Sequence, residues 1–81
     1  MPTILRYRGS RIMIFTNDHA PPHVHIISGD AEARFDLLCD LGAVSLKDHD
    51  GFSLKQLSAI GAFLTTHIQQ LCQAWSQYHG L

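Results

Sequence analysis

The sequence predicts an α+β domain, and three observations carry that reading. Residues 1–38 hold four short runs rich in β-branched and aromatic side chains, separated by turn signals. Residues 53–79 repeat an apolar residue every three or four positions, which is a helical stripe. The chain is 81 residues long, room for one domain, so both patterns share one core. The architecture expected is a four- or five-stranded antiparallel β meander packed by a long C-terminal helix, either continuous or broken into two.

The first strand is read over residues 3–8, and Gly9-Ser10 follows as a two-residue hairpin turn. Residues 11–16 are nearly continuously apolar, the pattern of a central strand covered on both faces. Residues 18–22 form a stiff connection, because Pro21 and Pro22 fix φ and cannot donate to a ladder. Residues 23–28 and 31–38 alternate with period two around a Gly29-Asp30 turn. The stretch 39–52 reads as irregular, with Val44-Ser45-Leu46 as a candidate fifth strand and residues 48–51 as a turn.

Ser53 is placed as an N-cap, and Gln56 three residues on completes a capping-box spacing. The stripe then runs through Leu57, Ile60, Leu64, Ile68, Leu71, Trp75 and Tyr78, with Gly80 as the stop signal. One helix over 53–78 would be about 39 Å long, whereas six-residue strands span about 20 Å. Either the helix breaks, near Gly61 or Thr65-Thr66-His67, or its far half meets a partner. Between Ser53 and Leu81 the only full charge is Lys55, which favours a homodimer through this helix.

Charge and composition exclude several classes. At 46% hydrophobic and 16% charged the chain is too apolar for intrinsic disorder. Six Lys and Arg against seven Asp and Glu give a net charge of −1, so no global field steers it to nucleic acid. No apolar run reaches the roughly 18 residues of a membrane span, and Met1-Pro2-Thr3 opens no signal peptide. Cys39 and Cys72 are too far apart for a pair motif and are expected as reduced, buried thiols of a cytoplasmic protein. No glycine-rich phosphate loop or nucleophile elbow is present.

The chemistry concentrates in Asp18-His19-Ala20-Pro21-Pro22-His23-Val24-His25. Strand alternation points His23 and His25 to one face, and the prolines can fold His19 back beside them. His19, His23 and His25 together would make the three-imidazole set of a catalytic zinc or similar divalent metal. Asp18, Glu32 or His49 would then orient a ligand from behind. A second reading uses the same histidines as acid and base on a phosphodiester, with Arg6, Arg8 or Arg11 holding the phosphate. The plainer alternative leaves His23 and His25 as polar residues on a half-exposed strand face and the arginines as solvated. His49 reads as a turn residue, His67 and His79 as helix residues, and Trp75 as core packing.

These residues also carry a family resemblance. The opening Met-Pro-Thr-Ile, the segment at 17–25, Gly-Asp-Ala-Glu-Ala-Arg-Phe at 29–35, Gly51-Phe52-Ser53 and the helix end at Trp75 resemble a family of short bacterial proteins filed as domain of unknown function 4160. The chain departs from that family's usual pattern in its helix, which carries few charges. The resemblance implies one half of a small two-gene module of toxin–antitoxin type, with a small cognate protein from a neighbouring gene as partner. It makes His19, His23 and His25 candidates for metal-free cleavage of RNA, with Arg6, Arg8 and Arg34 near them to hold phosphate. The near-neutral charge tells against tight RNA binding. The competing expectation is a non-catalytic protein-binding or metal-binding module, docking through an edge strand or the Gln-rich helix.

Overall fold

In the computed structural model, which describes residues 3–79, five strands lead into two helices. The strands are β1 (Thr3–Tyr7), β2 (Ser10–Met13), β3 (His23–Ser28), β4 (Ala31–Leu38) and β5 (Ala43–Asp50), and the helices are α1 (Leu54–Thr66) and α2 (Ile68–His79). Each strand pairs antiparallel with its neighbour in sequence, giving the sheet order β1-β2-β3-β4-β5. The expected meander is therefore present, with five strands. The stop signal read at Gly80 lies outside the described residues, as do Met1 and Pro2.

Local chemistry sets the turns. Arg8 and Gly9 both take positive φ, 49° and 82°, the requirement of a two-residue turn whose twist suits a hairpin. This moves the first turn one residue earlier than Gly9-Ser10, and Ser10 becomes a buried strand residue paired with Tyr7. The Arg8 guanidinium lies 5.5 Å from the centre of the Tyr7 ring, which helps hold this conformation. β2 ends at Met13 rather than residue 16, although Ile12, Met13 and Ile14 are all buried in succession. Pro22 lacks an N–H but its carbonyl accepts from Leu37 N–H at 2.8 Å, which carries the β3–β4 pairing up to the loop.

The fifth strand is longer than the three residues read from sequence, and His49 lies within it rather than in a turn. Phe35 pairs with Leu46 and Arg34 with Asp48, so Lys47 is an extra residue on β5. That bulge shifts the side-chain period by one and hides the strand from any period-two reading. β5 is an edge strand, and its run Lys47-Asp48-His49-Asp50 is exposed and charged, which deters further pairing.

The capping box is complete: Ser53 Oγ accepts from Gln56 N–H at 3.1 Å, and Gln56 Oε1 accepts from Ser53 N–H at 2.8 Å. The helix breaks at His67 and not at Gly61. Thr65 and Thr66 donate their hydroxyls back to the carbonyls of Gly61 and Ala62 at 2.8 and 3.1 Å, a pattern that bends helices. His67 then leaves helical geometry at φ −107°, ψ 21°. The core joins Ile12, Ile14, Val24, Ile26, Phe35 and Leu37 of the sheet half to Leu57, Ile60 and Leu64 of α1 and Leu71 and Trp75 of α2. Tyr78, read as part of the stripe, is 39% exposed and lies outside it.

The cysteines correct the sequence reading. Cys39 and Cys72 form a disulfide, and Cys39 is exposed rather than buried. The β4–β5 turn and α2 bring their Cα atoms to 6.1 Å, inside bridging range. A separation of 33 residues contains no hint of that proximity.

Candidate metal centre

β3 places the two ligand-type rings. His23 and His25 lie two residues apart on this strand, with the core residue Val24 between them. The loop from Phe15 turns back on itself, with Asp18 N–H donating to Phe15 carbonyl at 3.1 Å. It then passes through a cis Ala20–Pro21 bond into β3. This return brings Asp18 over the start of the strand. Nε2 of His23 lies 2.9 Å from Asp18 Oδ2, and Nε2 of His25 lies 3.0 Å from the same oxygen. Among the described residues, Asp18, His23 and His25 form the one such cluster, with donor atoms all within 4.8 Å of one another.

Both rings are braced. His23 is buried at 3% side-chain exposure and presents Nδ1 to Pro21 carbonyl oxygen at 2.8 Å. Its ring centre is 5.1 Å from that of Trp75. His25 stacks on Phe15 at 4.1 Å and 17°. Pro21 carbonyl only accepts, and an ionised Asp18 carboxylate only accepts. The His23 ring therefore satisfies both oxygens only as a doubly protonated cation. The neutral ring, holding its proton against Pro21, turns a bare Nε2 lone pair toward Asp18. Burial pulls the Asp18 carboxyl upward, but the hydrogen bond from His25 and the charges of His23 and His25 outweigh it. The net result is a value below the ordinary carboxylate range.

The other expected residues fall elsewhere. His19 is exposed and stands outside the cluster, one residue beyond Asp18. Asp18, expected behind the ligands, is itself in the set. Arg6 and Arg8 are exposed on β1 and its turn, with β2 lying between them and β3. Arg34 pairs across the ladder with His25 and reaches Asp36 Oδ1 only at 3.4 Å. His25 and Arg34 line one cleft of about 240 Å³ with Glu32, Asp48, His49 and Asp50. That is where Glu32 and His49 lie. Its three carboxylates against one guanidinium suit a cation better than a phosphate backbone. The bracing groups Phe15, Pro21 and Trp75 were missed from sequence as parts of the site; only the prolines gave a signal, as a rigid lead into the strand.

Such a molecule is a small α+β meander domain carrying a carboxylate and two imidazoles at one loop–strand junction. The chain belongs to the family described as Domain of unknown function (DUF4160), whose model matches residues 9–76 and so includes all three clustered residues. No curated protein and no solved structure matches the chain. No helix among the described residues is long and apolar enough to cross a membrane.

Proposed function

We infer that Asp18, His23 and His25 hold a divalent metal ion, zinc being the best fit, and that this centre is the working surface of the protein. The observation that carries the reading is the convergence of two imidazole Nε2 atoms on one carboxylate oxygen, with the opposite nitrogen of His23 fixed by a carbonyl. Metal-bound histidines habitually donate their second ring nitrogen in this way. Two imidazoles and a carboxylate are a borderline donor set suited to zinc and leave a position open for water or substrate. Zinc–ligand bonds of about 2.0–2.2 Å separate tetrahedral ligands by about 3.3–3.6 Å. To hold the ion, the 2.9 and 3.0 Å contacts open by roughly half an ångström, and the three donor atoms, which lie within 4.8 Å of one another, settle to that common spacing.

This reading is favoured over metal-free acid–base cleavage of RNA. Both nitrogens that would move protons aim at one carboxylate, and the cleft beside them is acidic. The wider role in the proposal rests on the family resemblance: a component of a small bacterial two-gene module of toxin–antitoxin type, partnered by the product of the neighbouring gene.

Isothermal titration of zinc into the metal-stripped chain tests the site. One equivalent binds to the wild type, and His25→Ala and Asp18→Asn each weaken binding at least tenfold while circular dichroism shows the fold retained. Unchanged affinity in both folded variants would refute the assignment.

A further inference from the structure

We propose that the Cys39–Cys72 disulfide is a thiol–disulfide exchange site whose opening releases α2, and with it Trp75, from His23. The inference goes beyond the metal reading and does not depend on it.

Three observations converge. First, the bond is reachable. Cys39 sits in the exposed β4–β5 turn, and both cysteines line an open groove of about 510 Å³ along α2, beside Gly42, Gln69, Gln73 and Ser76. Exposed disulfides are the exchangeable ones, since a thiolate must reach a sulfur in line with the S–S bond. Second, apart from the bond α2 is held by a short set of side chains. The helix is set off from α1 by the break at His67 and contributes two fully buried side chains, Leu71 and Trp75, with Ile68 and Ala74 partly buried against the core. Among the described residues, two of its buried polar atoms, Trp75 Nε1 and His79 Nε2, have no hydrogen-bond partner. His79 presents Nδ1 to the Trp75 carbonyl and stacks on the indole at 3.7 Å, so both unpartnered atoms sit in one small block. Water satisfies both once the block lifts away, which places α2 among the segments that open first. Third, the block abuts the histidine site. Cys72 lies three residues, about one turn, before Trp75, and Trp75 is 5.1 Å from His23 between ring centres.

The step balances with a thiol reductant. A reductant thiolate attacks Sγ of the exposed Cys39, the S–S bond breaks, and Cys72 departs as a thiolate that takes a proton. A second reductant thiolate attacks the mixed disulfide, releasing Cys39 and forming the reductant's own disulfide. Two electrons pass from two reductant thiols to the cystine.

Trp75 is the only tryptophan in the chain and reports on its own release. The test equilibrates the whole 81-residue, metal-free chain in glutathione buffers without denaturant. Alkylation with mass spectrometry scores the cysteines, tryptophan emission scores Trp75, and circular dichroism follows the sheet. The expected result is reduction in the folded state, with a red shift in emission that tracks the thiol count while the β signal persists. A Cys39→Ser/Cys72→Ser double variant should show the shifted emission in every buffer. A bond that resists glutathione until urea is added would overturn the proposal. So would reduction that leaves the emission unchanged, or reduction that abolishes the β signal.

Discussion

Asp18 Oδ2 is the atom on which the site turns, since it faces two imidazole nitrogens at hydrogen-bond distance. A carboxylate in that position is attractive to a cation and gives each ring a fixed direction. His25 takes its other support from Phe15, whose ring lies flat against it. Phe15→Ala leaves all three ligands in place but frees the His25 ring to rotate. The expected result is zinc binding at unchanged stoichiometry with affinity lowered about tenfold, the lower end of what supporting groups contribute around metal sites. Calorimetric titration of the variant beside the wild type checks it, and an unaltered affinity would show that the stacking is incidental. The same site shows why residue-level reading from sequence stopped short. His23 and His25 follow from strand alternation alone. Choosing between the adjacent residues Asp18 and His19 does not. Asp18 enters the cluster and His19 stays outside because of the turn closed at Phe15 and the path through Pro21, neither of which leaves a periodic trace.

At the scale of elements, what can be read and what cannot divide on locality. The capping box of α1 involves residues three apart, so Ser53 and Gln56 were legible as a pair. Ser53→Ala removes one half of it and should cost about 1 kcal/mol, measurable by urea denaturation. Gly51 just before it has φ +87°, and a Cβ there would approach Ala31 Cα to 3.0 Å. Gly51→Ala should therefore cost more than the cap, about 1–3 kcal/mol from the left-handed backbone and the contact together. The same denaturation series ranks the two, and a smaller loss for Gly51→Ala would contradict the account of that turn. The length of β5 is hidden from the sequence for a different reason. Its bulge at Lys47 is fixed by pairing with β4, and a period of two cannot survive an inserted residue. The helix break was legible only as one of two ways to reconcile a long stripe with a short sheet, and Thr65-Thr66-His67 only as one of two places for it, because the back-bonded threonines that favour it over Gly61 show in the fold and not in the length.

For the whole molecule the disulfide is the feature least visible in sequence and among the most consequential. A domain of this size buries a modest core, and a bridge across 33 residues contributes about 3–4 kcal/mol by restricting the unfolded chain. Reduced and oxidised protein compared by urea denaturation should differ by that amount, with the reduced form less stable. Equal midpoints would show that the bridge restrains nothing the core does not already hold. The order of the chain also explains the location of the site. A meander leaves its loops at the two ends of the sheet, and the one long loop, between β2 and β3, is the one that carries Asp18 back to β3.

The central claim is that two named histidines and one aspartate coordinate a metal, and nitrogen-15 NMR of the histidine rings tests it most directly. The account predicts that one equivalent of zinc shifts Nε2 of His23 and His25 to metal-bound positions while Nδ1 of His23 keeps its proton against Pro21. His19, His49, His67 and His79 should remain unchanged. Rings that do not respond to zinc, or a response centred on His19 or His49, would contradict it.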